Sequence, residues 1–340
     1  MATVSAIQAA GFSLAPNNLA NMLRSADSLN DIRALSPLPD EAQRLIDNTV
    51  VSVGLERLTI VADVMRAGLI FPLPNWLGVP EVYWETDKKI GHAISTMDPM
   101  ARGEKQLPDL TGHRIPVYCN VDDFDLGIRT IKTAQRSGYQ IDLGMVEQAT
   151  RRVNEKAEYN AINGSGINVG GNTAPGLLNA PNVNTVTYTG SEAWDVVGHT
   201  GAEIVTDVQA MISDLQAVNR FGPYHLWMPT TYGNKMNDDY VANYPGTIGE
   251  RLSKMRTGKD ATGKEQFLTW SVADRLPADR TVMAQMTRDV LDVIYGQAPT
   301  AVSWSMGPLH PVEFAIIGCA ILRVKDDGAS ASGIVVGNKS

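Results

Sequence analysis

The sequence predicts an α+β fold. Three observations carry that reading. Helical and strand-like stretches are mixed without the strict alternation of a doubly wound sheet. One long amphipathic helix can be followed from cap to stop over residues 142–163. Strand-like pieces then dominate the last part of the chain. No internal repeat is visible, and no linker splits the chain cleanly.

Residues 1–35 are rich in Ala, Asn and Ser with scattered apolar positions, and read as an arm. At Ser36-Pro37-Leu38-Pro39-Asp40-Glu41 a capping residue, prolines and acids open a helix. Its apolar residues recur through Leu45, Ile46, Val50, Val53, Val61, Val64 and Met65, with Gly54 as an interruption and Phe71-Pro72-Leu73-Pro74 as a stop. Val82-Tyr83-Trp84 and Ile115–Val121 have strand character and flank a long polar middle from Lys88 to Gln106. That pattern predicts an extended hairpin standing away from the core, and so long a segment is usually functional. Asp122-Asp123-Phe124-Asp125 reads as the cap of a helix through Ile128, Ile131 and Ala134.

The next helix is capped by Asp142. Val146, Ala149, Val153, Ala157 and Ala161 line one face, and Asn163-Gly164 ends it. A Gly/Asn-rich stretch follows and reads as a flexible connection. Thr200-Gly201-Ala202-Glu203 is a capping box. The helix behind it carries Ile204, Val208, Met211, Ile212, Leu215 and Val218 as an apolar stripe. Leu226-Trp227-Met228 is a buried strand after Gly222-Pro223, and residues 234–265 are polar and turn-rich. Further strands are expected at Thr281–Ala284, Ala301–Trp304, Ile316–Val324 and Ile334–Val336.

The chain has 340 residues, 36.8 kDa and a formal charge of −8, which argues against coating nucleic acid by electrostatics alone. Charged residues make up 19%, below the roughly 25% of an ordinary soluble domain. Either much of the surface faces neighbouring subunits, whose interfaces are poor in charge, or the surface is merely neutral. Cys119 and Cys319 are too few for a disulfide framework or a Cys-rich zinc site, and each reads as a small buried hydrophobe. The N-terminus lacks a basic segment followed by an apolar core, so no secretion signal is expected. The longest apolar run, Phe314–Leu322, falls well short of the ~20 residues a membrane span needs. A soluble chain kept in a reducing compartment is the expectation.

The search for chemistry finds little. Gly164–Gly171 is glycine-rich but lacks the Lys-Ser/Thr pair of a phosphate loop and follows a helix rather than a strand. His92, His113, His199, His225 and His310 are scattered singly, without metal-ligand spacing. No Gly-x-Ser-x-Gly elbow occurs. Asp122, Asp123 and Asp125 do not complete a calcium loop. Lys88, Lys89, Arg102 and Lys105 form the one basic cluster near aromatics, diluted by Asp87, Asp98 and Glu104. No catalytic residue, cofactor or metal is expected.

Three segments together are familiar in content and order. The first is Leu35-Ser36-Pro37-Leu38-Pro39-Asp40-Glu41-Ala42. The second runs from Arg114-Ile115-Pro116-Val117-Tyr118 through Asp125-Leu126 and Ile141-Asp142 to Ala161-Ile162-Asn163-Gly164, closing with Pro175-Gly176-Leu177-Leu178-Asn179-Ala180-Pro181. The third is Phe221-Gly222-Pro223-Tyr224, with Pro229 and Tyr232 just after. In these the chain resembles the encapsulin branch of the Hong Kong 97 capsid fold, which also includes major capsid proteins of tailed bacterial viruses. The motifs cover only part of the chain and none is specific alone; their order carries the resemblance.

The resemblance implies an N-terminal arm (1–35), the first part of a peripheral domain (36–75) and an extended loop (76–111). It implies more of the peripheral domain (112–185) with a spine helix at 142–163, an axial domain (186–299), and a return to the peripheral domain (300–340). It further implies a non-enzymatic shell subunit forming pentamers and hexamers. The shell would enclose double-stranded DNA without sequence-specific binding, alongside portal, scaffolding and decoration proteins, in a virion made in the host bacterial cytoplasm. The fuller arm and loop favour the virus over a compartment shell holding an enzyme cargo. No helical scaffolding segment precedes the arm, so scaffolding is expected as a separate protein or as already removed. Lys88, Lys89, Arg102, Glu104 and Lys105 are the expected inter-subunit contacts.

Overall fold

A computed structural model describes residues 50, 59–88, 95, 97, 109–127, 129, 130, 133, 144–196, 198–241, 246–259, 265–305, 310–326 and 332–339. Its elements run in the order α1 (Ile60–Arg66), β1 (Ile70–Pro72), β2 (Glu81–Lys88), β3 (Asp109–Pro116), β4 (Asn120–Leu126) and α2 (Gly144–Asn163). Next come β5 (Asn168–Val169), β6 (Asn172–Thr173), β7 (Asn184–Thr187), α3 (Gly201–Ala217), β8 (Tyr224–Met228), α4 (Thr230–Lys235) and α5 (Ile248–Ser253). Among the described residues the strands that follow are β9 (Arg256–Lys259), β10 (Glu265–Phe267), β11 (Thr269–Val272), β12 (Arg280–Gln285), β13 (Leu291–Trp304), β14 (Val312–Val324) and β15 (Ile334–Asn338). The chain divides into two units, one of Met1–Pro80, Val117–Ile167 and Asp292–Arg323, the other of Glu81–Pro116, Asn168–Leu291 and Val324–Ser340.

In the first unit the described strands form a sheet ordered β1-β13-β14-β4. β1 runs parallel to β13, and β14 antiparallel to β4. The expected face of α2 is the buried one: Val146, Ala149, Val153, Ala157 and Ala161 are all inside, and Gly164, with φ +82°, supplies the left-handed stop. Val146, Ala149 and Val153 share a core with Leu126, Val312, Phe314 and Ile316. Phe124 and Phe314, partners in register, stack with centroids 5.0 Å apart. Some buried polar groups on the same helix are paired, as burial favours. Asn160 donates to Asn120 Oδ1 at 3.1 Å, and Glu158 accepts from the Thr59 hydroxyl.

The acidic run Asp122–Asp125 does not cap a helix. It lies in β4, where Asp123 and Asp125 alternate outward while Phe124 and Leu126 turn toward the core. Pairing with β14 outweighs the local capping preference, and Arg152 of α2 sits 3.1 Å from Asp122. Helical structure is found at Arg129, Thr130 and Thr133. Cys319 is buried as expected, whereas Cys119 is exposed because it lies in the short irregular stretch between β3 and β4.

The second unit is built on a sheet ordered β11-β8-β12-β15-β7 among the described residues. β8 is buried at every position, with β11 parallel and β12 antiparallel beside it. α3 packs its stripe of Ile204, Val208, Met211, Ile212 and Leu215 into this unit's core with Tyr188, Trp194 and Tyr232. Its capping box forms: the Thr200 amide donates to Glu203 Oε2 at 2.7 Å, and the Glu203 amide to the Thr200 hydroxyl at 3.4 Å. β15 pairs with β12 and β7 in this five-stranded sheet, its unbroken Ile-Val-Val run buried between two neighbours.

Two stretches are more regular than expected. Residues 168–173 form a tight hairpin, not a loose connection. Gly170 and Gly171, with φ +56° and +90°, occupy its two-residue turn, which demands positive φ at both positions. The polar stretch 234–265 holds α5 and β9, with Ile248 and Leu252 buried.

Candidate functional site

The segment that the sequence marked as functional begins as a regular antiparallel ladder. β2 pairs with β3 from Glu81↔Pro116 to Lys88↔Asp109. The period of two sorts the side chains onto two faces. Val82, Trp84 and Thr86 share one face with Ile115, His113 and Thr111, while Tyr83 and Glu85 share the other with Arg114, Gly112 and Leu110.

The first face is the anchored one. Val82 and Ile115 are buried, and Trp84 stacks on His113 with centroids 5.5 Å apart. His113 Nε2 lies 3.7 Å from Asp326, which also accepts from Asn182 Nδ2 at 3.0 Å. Three segments distant in sequence therefore meet at the root of the hairpin, and the β5–β6 turn approaches the same root, with Gly170 near Glu81.

The second face is open. Tyr83 is 54% exposed and Leu110 55%, large apolar groups for an arm this narrow. Tyr83 lies across Gly112: a Cβ there would come within 2.8 Å of the Tyr83 hydroxyl, so only glycine lets the ring cover the strand. The phenol donates to Glu85 Oε1 at 2.6 Å, and that carboxylate pushes the Tyr83 pKa above its ordinary value. Arg114 lies 5.7 Å over the same ring and 3.4 Å from Glu81. The charges on this face are paired, Glu85 with the Tyr83 phenol and Arg114 with Glu81.

Of the expected contact residues, Lys88 closes the ladder opposite Asp109. Lys89, Arg102, Glu104 and Lys105 lie outside the described residues, as do the arm 1–35 and His92. Sequence reasoning missed the Tyr83, Glu85, Leu110 and Arg114 face. The signal was a second alternating stretch starting at Asp109, masked by the polarity of Thr111-Gly112-His113-Arg114.

The other histidines are dispersed. His225 lies between the hydroxyls of Thr269 and Ser271 at 2.8 and 2.9 Å. His199 lies 3.6 Å from the buried Asp207, which accepts from Thr189 and the Trp194 indole. His310 is exposed. Among the described residues no three His, Cys, Asp or Glu side chains converge as a metal site needs. No described helix is long and apolar enough to cross a membrane.

This architecture is similar to that of solved capsid shells. The virus-like particle from Pyrococcus furiosus aligns with a TM-score of 0.57 at 14% identity, over 87% of this chain and 98% of that one. The capsid of Myoviridae phage XM1 aligns with 0.59 at 16% identity, over 81% and 91%. The capsid of the native GTA particle aligns with 0.55 at 13% identity, over 83% and 91%. The fold is therefore the Hong Kong 97-type capsid fold, α+β as the sequence predicted. No curated protein matches the sequence. Within that fold class the chain belongs to the family of unknown function DUF6260, whose profile matches residues 91–337.

Proposed function

We propose that this chain is the major capsid protein of a tailed bacterial virus, a structural subunit that assembles with copies of itself into an icosahedral shell around double-stranded DNA. The carrying observation is coverage: the fold shared with the phage XM1 capsid takes up 81% of this chain and 91% of that one. The exposed Tyr83 and Leu110 side chains support it, as apolar surface left uncovered among the described residues. In this reading the first unit serves as peripheral domain, with α2 as spine. The second provides the axial domain and the root of the extended loop. The arm 1–35 and Lys88, Lys89, Arg102, Glu104 and Lys105 then contact neighbouring subunits.

A net charge of −8 suits a genome that is packed by a motor and released, since an attractive wall would hold the phosphates. A compartment shell with an enzyme cargo is the second reading, because one fold can serve either function. Electron microscopy of native particles with nuclease treatment separates the two. Icosahedral shells holding nuclease-protected double-stranded DNA are expected, with no DNA affinity in the isolated subunit at physiological salt. Shells filled with one foreign enzyme and no genome would install the second reading, and a small monodisperse species would sink both.

A further inference from the structure

The two cysteines, distant in sequence, are brought together by strand pairing. The β4–β14 ladder pairs Val121 with Ile317 and Asn120 with Gly318, antiparallel. The ladder ends at that pair; Cys119 immediately precedes Asn120 and Cys319 immediately follows Gly318, so continuing the register by one residue would set the two cysteines opposite each other. Antiparallel partners have Cα atoms about 4.5 or 5.5 Å apart, according to the kind of pair. Both values fall inside the roughly 4.4–6.8 Å that a disulfide spans.

The position of the sulfur agrees. Cys319 Sγ donates to the Tyr118 carbonyl oxygen at 3.4 Å, so it already lies at the peptide bond that joins Tyr118 to Cys119. Both thiols are free, one exposed and one buried. Glycine at 296 matters on the other side: a Cβ there would come within 3.0 Å of Cys319 Sγ.

We infer that Cys119 and Cys319 are an oxidation site, a reversible dithiol that a peroxide converts to an intramolecular disulfide stapling β14 to the segment before β4. The Cys119 thiolate attacks the peroxide, breaking the O–O bond, and becomes a sulfenic acid while one water leaves. The Cys319 sulfur then attacks the sulfenyl sulfur; the S–S bond forms, the S–O bond breaks, and a second water departs with the Cys319 proton. Two thiols and one hydrogen peroxide thus give one disulfide and two waters.

The exposed thiol meets the oxidant and the buried one resolves it, an order set by access. Burial raises the Cys119 pKa, and burial together with the neighbouring Cys119 pushes Cys319 to about 12. Closure is consequently slow near neutrality and accelerates as pH rises and thiolate accumulates. A chain kept reduced in the cell would carry the open pair, and exposure to an oxidising medium would close it. The pairing depends on the sheet of one unit and not on whether the chain builds a shell.

The test treats the full-length reduced protein with hydrogen peroxide at several pH values, followed by thiol counting under denaturing conditions and peptide mass mapping. Both thiols should disappear together, with a mass loss of two hydrogens, a cross-linked peptide pair containing Cys119 and Cys319, and recovery by dithiothreitol. The rate should rise with pH. In Cys119→Ser the Cys319 thiol should survive, and in Cys319→Ser the Cys119 side chain should run on to sulfinic acid. Independent oxidation of the two sulfurs, a disulfide between two chains through Cys119, or thiols that both persist at alkaline pH would each overturn the inference. If the serine variants do not fold, peptide mapping of the unmodified sequence decides alone.

Discussion

Removing the Asp292 carboxylate is the most informative perturbation of the first unit. Arg323 donates to Asp292 through Nε at 2.8 Å and through Nη2 at 2.5 Å, a bidentate pair between β13 and β14. Their side chains are only 5% and 6% exposed, and the guanidinium lies 4.7 Å from the Phe71 ring centroid. A pair this deep is unlike a surface salt bridge, which contributes about 0–1 kcal/mol. Asp292→Ala leaves the guanidinium buried without its carboxylate, at a cost of about 3–5 kcal/mol. Set against a total stability of roughly 5–15 kcal/mol, that is a large share, and thermal unfolding should shift down by on the order of 10 °C.

The pair is expected to confer specificity more than stability. The double variant Asp292→Leu with Arg323→Met should therefore recover most of the loss, since well-packed apolar replacements of buried ion pairs are often neutral. Calorimetry of the single and double variants forms a double-mutant cycle. Asp292→Asn keeps an acceptor and serves if Asp292→Ala does not fold. A cost below about 1 kcal/mol for Asp292→Ala would mean that water reaches the pair, and would refute the reasoning.

Three further outcomes are expected. Gly296→Ala should destabilise by about 1–3 kcal/mol, because its Cβ would come within 2.8 Å of Trp76; equal denaturation midpoints would contradict this. Thr200→Val should cost α3 about 1 kcal/mol of capping and raise the Glu203 pKa, which is held down first by the Thr200 amide and then by its hydroxyl. Because that pKa is depressed, its contribution is present above the ordinary carboxylate range and is lost as pH falls through the folded value; a carboxyl NMR titration in both proteins reads the change. Deleting residues 89–108 should leave folded subunits that fail to close a shell, and normal particles in electron microscopy would count against a docking role for the hairpin.

Those parts of the fold governed by local chemistry were legible in the sequence. The buried face of α2 follows from spacing alone, since Val146, Ala149, Val153, Ala157 and Ala161 can share a side only in a helix. Thr200 and Glu203 announce α3 because a capping box is satisfied within four residues. The strand pieces around Thr281, Ile316 and Ile334 stand out as apolar runs too short for helices. Even the hairpin declared itself, as polar sequence with no apolar period to bury.

What only the tertiary structure decided were the choices that depend on residues far away. Asp122–Asp125 has the local chemistry of a helix cap, and becomes a strand because β14 offers a ladder and Phe314 a ring for Phe124. Ile334–Val336 is a strand on any reading. Which sheet receives it was settled by β12 and β7, whose long-range pairing no short window encodes. The open face of Tyr83, Leu110 and Arg114 and the placing of Phe124 against Phe314 arise in the same way, from register. A one-residue slip in either ladder would turn those side chains to the opposite face, and only the packed core excludes the slip.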